Sequence, residues 1–207
     1  TGVNDRIVVN GDLAPNGAAI QIAPLTALST GTYTLVTFTG VRAGNFDPIL
    51  RGAPQLRQTL TLEETVPQQV NLTVSGASAA LVWSATLATN WDVAGGTNWL
   101  NTGTTLPDQF FQSDAVRFDD TPGVATTVSI DTQVQPTSVL VSNDVNAFVF
   151  TGTGRIAGAT SLVKLGTNTL TVATANTFAG GTFVSNGTLV AGANGAFGPG
   201  SLIFDSG

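Results

Sequence analysis

Apolar and polar residues alternate one for one along most of this chain. Thr32-Tyr33-Thr34-Leu35-Val36-Thr37-Phe38, Thr59-Leu60-Thr61-Leu62, Val70-Asn71-Leu72-Thr73-Val74 and Ala115-Val116-Arg117-Phe118 carry the pattern. A period of two places the apolar side chains on one face of an extended strand. Shorter segments of the same kind follow: Val128-Ser129-Ile130, Val139-Leu140-Val141, Phe148-Val149-Phe150, Leu162-Val163-Lys164, Leu170-Thr171-Val172, Phe183-Val184, Leu189-Val190 and Leu202-Ile203-Phe204. No eleven-residue window holds apolar positions at helical spacing without a Gly, a Pro or a β-branched run breaking it. The pattern predicts an all-β chain without helices.

The strands also recur. One apolar anchor per strand gives the series Val128, Phe148, Leu170, Leu189, with steps of 20, 22 and 19, and an interleaved series Leu140, Leu162, Phe183, Leu202, with steps of 22, 21 and 19. Two interleaved series at about twenty residues predict a solenoid whose coils stack strand upon strand. A sandwich also yields short strands, so strand density alone does not decide between them. The turn text does: Gly152-Thr153-Gly154, Gly166-Thr167-Asn168, Gly180-Gly181, Asn186-Gly187 and Gly192-Ala193-Asn194-Gly195 supply the sharp corners that each coil needs. For residues 1–80 the sandwich remains an alternative. The expected organisation is a β-rich block at 1–80 that ends a preceding stack, a Trp-containing connector at 81–126, and a solenoid repeat block at 127–207.

Leu162-Val163-Lys164-Leu165-Gly166, Asn168-Thr169-Leu170-Thr171-Val172, Asn176-Thr177-Phe178-Ala179-Gly180-Gly181-Thr182 and Asn186-Gly187-Thr188-Leu189 together resemble the autotransporter-associated β-strand repeat. Asn168 stands where that repeat usually has Gly, and Phe178 where it usually has Tyr. Asp114-Ala115-Val116-Arg117-Phe118-Asp119-Asp120 is similar to the lead-in that precedes such repeats, and Gly31-Thr32-Tyr33-Thr34-Leu35-Val36 to the close of a preceding block. The resemblance implies a right-handed parallel β-solenoid (β-helix) in a long secreted or cell-surface protein of a Gram-negative-type bacterium. It implies no catalytic activity and transfers no catalytic residue. Both ends fall within strand-like text, which reads as a segment of a longer chain.

Composition narrows the chemistry. The 207 residues include no His, no Cys and no Met, which removes His-based nucleophilic catalysis, His or thiolate metal sites and disulfides. Seven basic residues against thirteen acidic ones leave a net charge of -6, without the basic footprint of a nucleic-acid binder. No uncharged stretch is long and apolar enough for a transmembrane helix, so membrane insertion of this segment is not expected.

Few constellations remain. Glu63 and Glu64 are adjacent on a strand and so face opposite ways. Asp114, Asp119 and Asp120 read first as carboxylates that accept backbone N–H groups; a Ca²⁺ site would need six to eight oxygen ligands. A lyase of β-solenoid architecture would need cations around its substrate, and Arg117 and Arg155 are the only Arg residues in the C-terminal half. Trp83, Trp91 and Trp99 are the candidates for stacking on glycans, against the plainer reading that they plug an irregular connector. Phe148, Phe150, Phe178, Phe183 and Phe204 are expected in the interior. Arg6, Val8, Leu202 and Phe204 mark bare terminal strands that invite head-to-tail association of copies into a filament. The expected function is a structural, non-catalytic segment of a bacterial surface fibre or adhesin stalk, without cofactor or metal. Its partners would be neighbouring repeats, copies of itself or glycans, and a carbohydrate-binding module is the alternative.

Overall fold

The structure, a computed structural model, describes residues 5–22, 28–51, 55–121 and 123–205. These divide between two compact units that meet in sequence at 77 and 78.

The first unit is built on one mixed sheet of β1 (Ile7–Val9), β2 (Gly31–Phe38), β3 (Thr59–Glu63) and β4 (Gln69–Ser75), in the order β1-β2-β4-β3. Its beginning is coil-like. Ile7 pairs in parallel with Val36, Leu13 bridges Arg42 and Gln21 bridges Arg51, offsets of 29, 29 and 30 residues. Parallel pairing at one offset in three places means that one long coil lies upon the next. Its end is antiparallel: β4 pairs with both β2 and β3. The register shifts between Thr34 and Val36, so Leu35 is the extra residue of a bulge, and burial passes from Tyr33 to Val36 and Phe38 across it. Ile22, Tyr33, Leu72 and Val74 form the core. The sandwich considered for this part does not form among the described residues, where the four strands make a single sheet.

The second unit is a parallel β-solenoid of about four turns, without helix among the described residues. Its eight-stranded sheet runs β18 (Leu202–Phe204), β16 (Thr182–Val184), β14 (Ser161–Leu165), β11 (Ser138–Ser142), β8 (Ala115–Asp119), β5 (Ala80–Trp83), β6 (Trp99–Asn101), β7 (Pro107–Asp108). A second sheet runs β17 (Thr188–Ala191), β15 (Thr169–Val172), β12 (Phe148–Thr151), β9 (Thr127–Ser129), and β10 (Gln133–Val134) pairs with β13 (Arg155–Ile156). Everything from β8 onward pairs in parallel.

Register aligns the side chains in columns. Leu81, Val116, Val139, Leu162, Thr182 and Leu202 form one column. Phe118, Val141, Lys164, Val184 and Phe204 form another. From the second sheet, Phe148-Leu170-Leu189 and Val128-Phe150-Val172 face the same core. Neighbouring coils sit about 4.8 Å apart, so each apolar side chain is covered by its counterparts above and below.

The two ends of this stack differ. Between Leu81 and Val116 the chain spends 35 residues on one step, against 23 for the next, from Val116 to Val139. The excursion folds over the first coil: β6 pairs antiparallel with β5, and β7 forms the edge. Pro107 has no N–H to offer a further strand, which blunts that edge. At the other end β18 pairs with β16 alone, and Leu202 and Phe204 are 45% and 73% exposed although they continue buried columns. Of the five Phe residues expected inside, Phe148, Phe150 and Phe178 are buried. Phe183 points to the opposite face, next to outward Val163, and Phe204 is exposed because, among the described residues, no strand covers β18.

Candidate functional site

The polar side chains of the solenoid gather at its corners. After β8, β11 and β14 the chain turns at Asp120, Asn143 and Gly166, one above the other by register. Asp120 accepts N–H groups of the next coil from Asp144 at 2.7 Å, Val145 at 2.9 Å and Asn146 at 2.8 Å. Asp144 repeats the device one coil on, accepting from Thr167 N at 2.8 Å and Thr167 Oγ1 at 3.0 Å. Asn143 Nδ2 donates to Asn146 O and, across coils, to Thr169 O at 3.0 Å; Asn168 Nδ2 donates to Val145 O at 2.7 Å. Each corner is thus tied to its neighbour by a carboxylate or amide that meets the backbone, with the Thr167 hydroxyl joining at Asp144.

Lys164 completes this corner from inside. It occupies the inward column between Val141 and Val184 and is fully buried. Its stem packs as an apolar chain, and Nζ reaches the carbonyls of Leu165 and Gly166 at 2.7 Å and of Asn186 at 3.4 Å. Burial lowers its pKa, opposed by the negative charges of Asp144 and Asp120. Desolvation would raise Asp120, but the N–H donors of Asn146, Asp144 and Val145 and the charge of Lys164 outweigh it, and the carboxyl is held below the usual range. Gly187 seats against the same group: a Cβ there would overlap Gly166 O and Asn168 O and stand 2.8 Å from Lys164 Nζ.

A second corner uses Asn176. This buried amide accepts from Ile156 N of the preceding coil at 2.8 Å and donates to Ala196 O of the following one at 2.6 Å. Thr160, also buried, spans to Pro136 O. Asp114, fully buried, accepts from Ala79 N at 2.7 Å and Phe111 N at 2.9 Å. Asp119 accepts from Thr121 and pairs with Arg117 at 3.0 Å. In the first unit Glu63 accepts from Thr65, while Glu64 pairs with Arg42 at 2.8 Å and receives Phe46 N.

The structure places Trp83, Trp91 and Trp99 together in the core, 0–1% exposed. Trp91 and Trp99 lie 5.4 Å apart and Trp83 and Trp99 5.0 Å apart, all edge to face, and Phe110 and Phe118 pack around them. Trp83 Nε1 donates to Ala125 O at 2.8 Å. An indole buried on both faces has none to offer a sugar ring, so the burial explains these residues as the plug of the capped end. Arg6 and Val8 are exposed on or beside edge strand β1, and Leu202 and Phe204 on edge strand β18, each at the margin of its own sheet. A shallow concavity of 540 Å³ on the solenoid is lined by Asp131, Gln133, Gly154 and Arg155. In it Arg155 Nε is already bonded to Gln133, and Asp131 to Ser129. Among the described residues, no three acidic groups come together to hold a metal ion.

The sequence places Lys164 on a strand and Asn176 in turn text, both within the repeat motif, without assigning either a role. The signal was there for Lys164: it falls two residues after Leu162, on the inward parity of its strand. Asn176 stands in irregular text, where no alternation marks inside from outside.

Stacked parallel strands joined by Gly and Asn corners, with core and corner contacts repeating at each coil, define the class: a repeat-built β-solenoid. Residues 162–191 match the Passenger-associated-transport-repeat family, so the solenoid carries an autotransporter passenger repeat. Over 56 residues, 27% of this chain, the sequence is 46% identical to the protein named "Adhesin BmaC autotransporter" of Brucella suis biovar 1 (strain 1330). The match takes in 2% of that far longer protein. No solved structure matches the chain.

Proposed function

We propose that this chain is a non-catalytic structural segment of a passenger-type protein on the outer surface of a Gram-negative bacterium, where its coils form part of a stalk that holds other surface away from the cell. One observation carries the reading: the polar groups that could do chemistry are spent on joining coil to coil. Asp114, Asp120, Asp144, Asn143, Asn176 and Lys164 all bond backbone groups, most of them on a neighbouring coil. A carboxylate saturated with N–H donors is a poor base, and a lysine wrapped in carbonyls is a poor nucleophile. Support also comes from the repeat match at 162–191 and from the adhesin relative.

The experiment is surface display. Inserted into an autotransporter passenger on Gram-negative cells, the chain should reach the surface and survive trypsin as a fragment spanning most of residues 78–205. Complete digestion there, or release of reducing ends from bacterial or host polysaccharides by the purified chain, would sink the proposal.

A further inference from the structure

Four Asn-Gly pairs occur in the sequence: Asn10-Gly11, Asn16-Gly17, Asn186-Gly187 and Asn194-Gly195. Glycine leaves its own nitrogen unhindered, so in such pairs that nitrogen can attack the preceding side-chain amide. We propose that the fold singles out Asn186 among the four as a site of spontaneous amide hydrolysis, with the Gly187 nitrogen as nucleophile.

Two independent features point to it. Gly187 N donates to Asn186 Oδ1 at 2.8 Å, which holds the nitrogen beside Cγ, one bond beyond that oxygen; no other pair shows this contact among the described residues. Reacting atoms kept in near-contact need little further ordering to react. The second feature is Lys164. Its Nζ lies against the Gly187 Cα, 2.8 Å from where a Cβ would stand, and 3.4 Å from Asn186 O. A cation at that position favours loss of the Gly187 N–H proton, and the deprotonated nitrogen is the attacking form. Asn186 and Gly187 are themselves exposed, so water reaches the product.

The step balances without a co-reactant. Gly187 N bonds Asn186 Cγ as the Cγ–Nδ2 bond breaks, and Nδ2 leaves as ammonia with the proton lost from Gly187. Water then opens the cyclic imide at one of its two carbonyls, giving aspartate or isoaspartate. Either product sets a carboxylate beside Lys164. Isoaspartate also adds a methylene to the backbone of a corner with no room for one, because Gly187 already sits against the carbonyls of Gly166 and Asn168. The last described coil would loosen there.

The test incubates the full folded chain at mildly alkaline pH and follows all four sites by peptide-mapping mass spectrometry, with isoaspartate resolved by chromatography. Asn186 should convert several-fold faster than Asn10, Asn16 and Asn194. In denaturant that preference should vanish, and in Asn186→Gln the folded chain should lose its fastest conversion. Equal rates at the four sites in the folded chain, or a preference that persists unchanged in denaturant, would overturn the assignment.

Discussion

Lys164 shows how one residue can serve as core and corner together. Its methylenes fill a column otherwise apolar, while its ammonium supplies donors to three turn carbonyls. Replacement by Met keeps the stem and orphans the carbonyls, so Lys164→Met should cost about 1–3 kcal/mol in urea unfolding followed by Trp fluorescence. A neutral result would mean that water caps the corner equally well. Asp120 makes the same corner sensitive to acid. Its pKa is lower in the fold than in the unfolded chain, so the stability it contributes is present above the ordinary aspartate range and is lost as pH falls through the folded value. Asp120→Asn should therefore flatten the fall in melting temperature below about pH 4, and an unchanged profile would exclude this carboxylate as the cause. For Lys164 the folded pKa is also the lower one. The unfolded chain then holds the extra proton, and the burial penalty eases as pH rises toward the ordinary lysine value. Trp91 is fully buried against Trp99, Phe110, Phe118 and Phe150, and Trp91→Ala should cost about 3–5 kcal/mol by the same unfolding measurement. Composition alone marked the three indoles as unusual, yet it could not tell plug from platform, because that turns on whether residues 84–113 cover or expose them.

Strands were the most legible elements, because alternation reports directly on a half-buried sheet. Register was less so. The anchors Leu140 and Phe183, chosen for being apolar, lie on the face opposite Leu162 and Leu202; the pairing that forms is Val139-Leu162-Thr182-Leu202. Period survives such a slip while facing does not, since one residue reverses the side. Thr182 was hidden in this way: a buried polar residue in an apolar column reads as outward. The bulge at Leu35 was hidden for a related reason, because an extra residue breaks parity without leaving any mark in composition. Tight corners carry the next constraint. Gly166 has φ 77° and its α-carbon packs on the backbone of Asn143, so Gly166→Ala combines a strained turn with an overlap that no side-chain movement relieves. We expect a loss of stability larger than for Gly17→Ala, which has a similar φ but open space; equal losses would show that φ alone matters. Edges should also exchange first. Amide protons of β17 and β18 should exchange with deuterium well ahead of those in β11 and β14, which are paired on both sides.

At the scale of the molecule, the two units each have a core drawn from their own residues. The first was the harder to read. Its parallel offset of 29–30 residues is half as long again as the repeat that follows, and a single coil-on-coil pairing offers no recurrence to detect. A fragment of residues 78–207 should keep the blue-shifted Trp emission of the whole chain, since every side chain of that core cluster lies within it; red-shifted emission would show that the cluster needs the preceding residues. All three Trp residues sit in that unit at its capped end, and the only Tyr, Tyr33, sits in the other.

That placement has an optical consequence. Indoles edge to face at 5.0 and 5.4 Å are close enough for their transition dipoles to couple, so light absorbed by one is shared among all three and the trio behaves as a single chromophore. Its circular-dichroism couplet would overlie the sheet spectrum and belong to one end of the stack alone. When that couplet fades while the sheet bands persist, the cap has opened over coils that are still wound.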